Sequence, residues 1–191
     1  RKNELKILPK HISLDNLRPA TALIAFSRSD VLKFKQKLQK KYRVSVIYGN
    51  LSPEVRRDEA RRFREGKSDI LIATDAIAMG LNLPIETILF TTDTKFDGIS
   101  KRKINVNEIV QIAGRAGRFA QFEAGFLGAT KRDVLSHIEE EYQKPVKTIK
   151  PPFKVKINAG QLEGLASHIK TNSLTKILNY FAKNMIFSGP F

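Results

Sequence analysis

Four short apolar runs constrain the architecture open to this chain: 21-TALIAF-26, 44-VSVIYG-49, 69-DILIAT-74 and 86-ETILFTT-92. Each is long enough for one buried strand, and each changes abruptly into polar or small residues. Amphipathic segments lie between them. Val31, Phe34 and Leu38 fall at i, i+3 and i+7 of a helix expected over residues 30–40, whose outer face is lysine. In 52-SPEVRRDEARRFREG-66, Ser52 is a natural N-cap, Pro53 takes the first helical position and Gly66 stops the helix. Strand alternating with helix predicts an α/β fold with a doubly wound parallel sheet and helices on both faces. In such sheets functional residues gather beyond the carboxyl ends of the strands.

Residues 1–20 read as a lead-in, with Leu5, Ile7 and Leu8 adding a short strand or hairpin. After Asp93 the pattern lapses into a basic excursion, 94-TKFDGISKRKIN-105, with a small hairpin expected between Phe96 and Ile104. Asn107 is placed to cap the helix carrying Val110, Gln111 and Ile112; a strand over 125–130 and a helix over 132–141 follow. Residues 142–157, rich in proline and lysine, read as a linker or strap. Beyond them 158–191 carry two helical stripes, Leu162, Leu165, Ala166 and Ile169, then Leu174, Ile177, Leu178, Phe181 and Met185. Two such helices cannot bury their stripes alone.

The 191 residues hold one α/β domain of ordinary size plus appendages, and 41% apolar content supports a real core. The absence of cysteine excludes disulfides and thiolate metal sites, and the scattered His11, His137 and His168 have no ligand spacing. No apolar run is long enough to span a bilayer, so no membrane partner is expected. The start lacks both an initiator Met and an apolar signal core, which points to an excerpt from a longer chain. A formal charge of +15 points to a polyanionic partner.

Two stretches carry the chemistry. In 107-NEIVQIAGRAGRF-119, Arg115 and Arg118 stand three apart among Gly114, Ala116 and Gly117. Small residues permit close backbone approach, so the pair reads either as a clamp on nucleotide phosphates or as a tight turn with solvated arginines. In 69-DILIATDAIAMGLNLP-84, a strand ends at Thr74 and Asp75. The Thr74 hydroxyl suits a phosphate, and Asp75 either holds an arginine or ribose or caps the next short helix. Gly80 marks backbone near a ligand, with Asn82 two residues on. Ser27, Arg28, Tyr48, Gly49 and Asn50 share that strand-end edge, which suits a sugar–phosphate strand held without base reading; Arg56, Arg57 and Lys101 to Lys103 extend it. Basic and aromatic residues do not interleave as in a stacking platform. There is no G-x-x-x-x-G-K-[ST] run, and the acidic pair Asp58-Glu59 lies within an arginine-rich helix as salt-bridge surface. Any hydrolysis must therefore be built jointly with another domain.

Taken together, 22-ALIAFSR-28, 48-YGNLSPEVRR-57, 74-TDAIAMGLNLP-84 and 111-QIAGRAGRF-119 resemble, in order and spacing, the second RecA-like domain of superfamily 2 helicases. The nearest resemblance is to the DExH-type RNA helicases of the mitochondrial degradosome and their bacterial relatives. The lead-in 13-SLDNLRPA-20 is similar too, and 158–191 resembles, more loosely, the start of that family's C-terminal helical region. A glycine is common in the family where Ala78 stands here. The resemblance implies a RecA-like sheet over residues 1–141 and an ATP-driven motor acting on RNA, on DNA or on an RNA/DNA hybrid. It implies Arg115 and Arg118 at the γ-phosphate, with Gln111 positioning that phosphate or the attacking water. Gly80, Asn82 and Asp75 then lie toward the nucleotide, and Ser27, Arg28, Gly49 and Thr74 toward the nucleic-acid backbone. The cofactor implied is ATP, with Mg²⁺ held mainly by a first RecA-like lobe of the same protein. An exoribonuclease partner is implied as well, with a cytoplasmic setting if bacterial and the mitochondrial matrix if eukaryotic. The fragment alone is expected to be inactive, since the Walker A and DExH motifs are missing from it. A non-catalytic nucleic-acid-binding or adaptor domain on the same fold is the alternative.

Overall fold

The computed structural model describes residues 4–78, 81–117, 122–146 and 157–184. The chain divides into two compact units, Arg1–Lys147 and Thr148–Phe191.

In the first unit the strands are β1 (Glu4–Ile7), β2 (Thr21–Ile24), β3 (Val44–Ile47), β4 (Ile70–Ala73), β5 (Thr87–Phe90) and β8 (Ala124–Ala129). They form one six-stranded sheet in the order β1-β8-β5-β2-β4-β3, with every pairing parallel. The lead-in therefore supplies an edge strand, seated on the last strand of the unit, rather than a hairpin. The helices are α1 (Arg28–Leu38), α2 (Pro53–Arg64), α3 (Val106–Ala113) and α4 (Arg132–Tyr142). An antiparallel hairpin of β6 (Thr94–Phe96) and β7 (Lys101–Lys103) interrupts the alternation, where a basic excursion is expected from the sequence.

Period-two alternation along the strands sorts the core into two layers. Ala22, Ile24, Ile47, Leu71, Ala73, Ile88, Phe90, Leu127 and Ala129 face the layer that also holds Phe63 of α2, Ile109 and Ile112 of α3, and Ile138 of α4. Leu23, Ala25, Val44, Val46, Ile70, Ile72 and Leu89 face the other layer with Val31 and Leu38 of α1 and Leu17 of the lead-in. Both faces of the central strands are thus covered, which is why they read as unbroken apolar runs. Each fully buried Leu, Ile or Phe contributes about 1.5–3 kcal/mol over its exposed state.

The helix starts hold the strand ends in place. Ser27 caps α1, its hydroxyl accepting from the Asp30 N–H at 3.0 Å and donating to the Asp30 carboxylate at 2.6 Å. Ser52 caps α2 with Pro53 in the first turn. Gly66 takes φ +68° just beyond α2, the left-handed conformation that lets glycine end a helix. The cap of α3 is Asn105, not Asn107. The Asn105 side chain accepts from Glu108 N–H, and the Glu108 carboxylate accepts in return from Asn105 N–H, a reciprocal capping box. Asn107 lies inside the helix.

In the second unit, α5 (Ala159–His168) and α6 (Leu174–Asn184) contact each other, with the His168 and Tyr180 rings 6.1 Å apart. Asn158 and Gln161 form a second capping box at the start of α5. Ile177 is buried, while Leu174 and Leu178 are exposed. Residues 147–156, the greater part of the expected linker, lie outside the described residues.

Candidate nucleotide and nucleic-acid site at the strand ends

Because all six strands run parallel, the segments after β2, β3 and β4 leave from one edge of the sheet. Between them and α3 lies a cavity of about 400 Å³ lined by Arg28, Tyr48, Gly49, Thr74, Asp75 and Gln111, among others. Seven sequence-predicted residues thus converge on one cavity: Arg28, Tyr48, Gly49, Asn50, Thr74, Asp75 and Gln111. The Arg28 guanidinium lies 5.6 Å from the centre of the Tyr48 ring, a cation–π contact that holds its charge at the rim. Arg56, one turn into α2, donates to the Tyr48 carbonyl at 3.4 Å. Its Nε is buried with no hydrogen-bond partner among the described residues.

Ser27 falls elsewhere. As the cap of α1 it lines an adjoining cavity of about 460 Å³ with Thr92, Lys95, Phe96, Lys101 and Lys131. There the structure does bring phenylalanine and lysine together, gathering members from β6, β7 and the residue before α4. Asn82 is exposed, and its carbonyl accepts from Arg64 of α2 at 3.3 Å. Gly80 and Arg118 lie outside the described residues.

Thr74 is buried, and its hydroxyl accepts from the Ala76 N–H at 3.3 Å. The threonine therefore starts the short 3₁₀ turn Asp75–Ala78, relieving Asp75 of that capping task. The Asp75 carboxylate accepts from Lys95 of the hairpin at 2.7 Å, so the cation it holds is a lysine. Lys95 also pairs with Glu108 at 3.1 Å, and Arg102 donates to both oxygens of Glu108 at 2.9 and 3.0 Å. Burial works against the Glu108 carboxylate, yet hydrogen bonds from Arg102, the Asn105 backbone and Lys95 outweigh it and hold its pKa down to about 2. Burial likewise disfavours the Lys95 ammonium, and hydrogen bonds to Asp75 and Glu108 overcome it, leaving the pKa raised.

The arginine turn follows α3 directly. Its backbone closes through Arg115 N–H to Ile112, Ala116 N–H to Ala113 and Gly117 N–H to Ile85, the last at 2.8 Å. Gly117 has φ +69°, and a β-carbon there would stand 2.8 Å from the backbone nitrogen of Gly125 in β8. A β-carbon on Gly125 would meet the Ala116 carbonyl carbon at the same 2.8 Å. Two glycines, one on each side, therefore let the turn lie flat against the sheet. From this turn the Arg115 guanidinium donates to the carbonyls of Ala78 and Leu81, latching the loop that follows β4. The side chain thus reaches across to backbone carbonyls and is not a simple solvated arginine of the turn.

The acidic pair of α2 behaves largely as surface: Asp58 pairs with Arg61 at 2.9 Å and Glu59 with Arg62 at 3.4 Å. Glu59 does more, accepting from the Val46 N–H of β3 at 3.0 Å. No group of three or more potential ligands able to hold a metal ion occurs among the described residues. Sequence reasoning missed Asn105, Glu108 and Lys95. The first two were available from the N-x-x-E spacing of a capping box; Lys95 has no local signal at all.

Comparison with known proteins agrees with this arrangement. Residues 3–120 match the helicase conserved C-terminal domain. The chain is 36% identical to a mitochondrial ATP-dependent RNA helicase SUV3 of Candida albicans, over 97% of this chain and 26% of the relative. It is 34% identical to the mitochondrial DExH-box ATP-dependent RNA helicase DExH16 of Arabidopsis thaliana, over 94% of this chain and 32% of the relative. The chain thus spans about a quarter to a third of the length of these curated relatives. Among solved structures, the C-terminal domain of the DEAD-box protein Dbp5 shares the fold with TM-score 0.53 at 18% identity, over 74% of this chain and 85% of that one. The yeast DEAD-box splicing factor Prp28 does so with TM-score 0.54 at 16% identity, over 74% of this chain and 34% of that one. The matched domain, the parallel sheet and the order of the strand-end motifs together make the chain a member of the helicase conserved C-terminal domain family, the second RecA-like lobe of a superfamily 2 helicase.

Proposed function

We propose that this lobe forms one wall of an ATP site completed by a first RecA-like lobe, and that the whole protein uses ATP hydrolysis to unwind RNA. The observation that carries this reading is the convergence of Arg28, Gly49, Thr74, Asp75 and Gln111 on one strand-end cavity, with the arginine turn latched to the loop beside it. The lining donors fit a phosphate-facing half-site: the Arg28 guanidinium, the Thr74 hydroxyl and the Gln111 amide. Carboxylates to hold Mg²⁺ belong to the first lobe in this reading, as does the loop that cradles the α- and β-phosphates.

Arg115 and Arg118 act at the γ-phosphate, and Gln111 orients that phosphate or the attacking water. Gly80 and Asn82 approach the nucleotide, and Asp75 ties that contact to the hairpin through Lys95. Ser27, Arg28, Gly49 and Thr74 hold the nucleic-acid backbone. An anionic oxygen is a stronger acceptor than a carbonyl, so a γ-phosphate competes with Ala78 and Leu81 for the Arg115 guanidinium. Hydrolysis removes that competitor and the latch on the loop re-forms. Closing and reopening of the lobes then moves two grips on one strand relative to each other. Residues 158–191 begin a C-terminal helical region beyond the 142–157 strap. The names of the relatives place those proteins in mitochondria; we extend to the full protein a matrix location and an exoribonuclease partner.

The test is ATP turnover and RNA binding by the full-length protein. Arg118→Ala is expected to lower turnover by about a thousandfold or more, the scale of an arginine finger, with RNA affinity largely kept. Full-rate hydrolysis by that variant removes the arginine from the assignment. An unsubstituted protein that binds RNA and hydrolyses no ATP is the adaptor instead. The isolated lobe is expected to show no ATPase.

A further inference from the structure

Lys95 has no place among the motif residues, yet three elements of the site meet at its ammonium. Nζ stands 2.7 Å from Asp75 and 3.1 Å from Glu108, its side chain is only 17% exposed, and it lies 5.7 Å from the centre of the Phe26 ring. The two carboxylates lead to the same arginine by different routes. Asp75 opens the turn whose last residue, Ala78, offers its carbonyl to Arg115. Glu108 completes the capping box of α3, which runs directly into the turn bearing Arg115. Lys95, Asp75, Ala78, Arg115, α3 and Glu108 therefore form a closed ring, with Lys95 as its member on the hairpin. That hairpin presents Phe96 at 60% exposure, Ile99 at 92% and the cations Lys101 and Lys103. Arg102 also ties the hairpin to Glu108. Among the described residues, Lys95 alone in the hairpin bonds to the 75–78 turn.

We propose that Lys95 is a positioning residue that transmits engagement of nucleic acid at the β6–β7 hairpin to Arg115, through Asp75 and Glu108. This rests on the ATP half-site reading above. A strand pressing on the basic hairpin displaces β6, and one ammonium shared by two carboxylates cannot move without altering its hold on both. The turn that accepts from Arg115 and the helix that carries it shift together. Single-stranded RNA thereby sets how readily Arg115 leaves the Ala78 and Leu81 carbonyls for a phosphate.

The experiment measures ATP hydrolysis by the full-length protein against increasing single-stranded oligouridylate for Lys95→Met, Lys95→Arg and Arg102→Gln. Coupling between sites is typically worth 5–150-fold, so Lys95→Met is expected to keep basal turnover within about twofold and lose about tenfold of the RNA-stimulated kcat, at little changed KM for RNA. Lys95→Arg keeps the charge within reach of both carboxylates and is expected to restore most of the stimulation. Arg102→Gln, which loosens the same hairpin but leaves the Asp75 leg intact, is expected to keep it. The proposal is overturned if Lys95→Met is stimulated normally, if its basal and stimulated rates fall in parallel, or if Arg102→Gln reproduces its effect. Should Lys95→Met not yield folded protein, Lys95→Gln, whose amide reaches only one carboxylate, takes its place under the same outcomes. An unsubstituted protein whose hydrolysis ignores RNA overturns the ATP half-site reading first, and this one with it.

Discussion

Gly117 and Gly125 share one contact, and neither tolerates a side chain. Alanine at Gly125 drives its β-carbon to 2.8 Å from the Ala116 backbone, and alanine at Gly117 meets the same crowding with φ +69° in addition. Overpacking of this kind costs about 1–3 kcal/mol, and Gly117→Ala is expected to be the worse of the two. Urea unfolding of the lobe measures both. Arg115→Ala removes the latch on the Ala78 and Leu81 carbonyls; its expected effect on folding is modest, while ATP turnover falls steeply, and equal loss of both contradicts the role assigned to it. The small residues at 114–117 are legible in sequence as a place of close approach. What they approach is not legible, because the facing Gly125 is chosen by the pairing of β8 with β5 and not by any local pattern. Asp75 shows the same limit: a carboxylate after a strand announces a partner, and only the tertiary fold makes it Lys95.

At the scale of elements, strands β2 to β5 and helix α2 follow their patterns closely, since a buried parallel strand and a capped amphipathic helix each leave a local record. The helix after β2 begins two residues earlier than its apolar spacing implies because Ser27, at the strand end itself, takes the cap. The cap of α3 falls two residues before the asparagine expected from the sequence for a related reason: two asparagines compete, and the one three residues before a glutamate wins by bonding reciprocally. That glutamate supplies a prediction. The Glu108 pKa lies at about 2 against an ordinary 4.5, so the carboxylate's contribution to stability is complete above about pH 4.5 and is lost as pH falls toward 2. The melting-temperature gap between the unsubstituted lobe and Glu108→Gln is therefore expected to be widest near neutrality and to shrink on acidification through that window. A gap independent of pH there refutes the assignment.

Across the whole molecule the surplus of 15 positive charges accords with a polyanion, and the strand-end edge gives part of it a position. Single-stranded RNA binding by this chain is expected to be weak and to fall with salt, log K against log salt declining by about 0.7 per phosphate neutralised. Substituting Arg28 or Arg56 should flatten that slope; an unchanged slope in both variants places the RNA elsewhere. The sheet order also bears on how the lobe is made. Among the described residues Glu4 to Ile7 pairs only with Ala124 to Leu127, so within this lobe the strand made first waits for the strand made last. Until β8 has been made, the lobe carries an open β-edge that invites chaperones or a neighbouring copy.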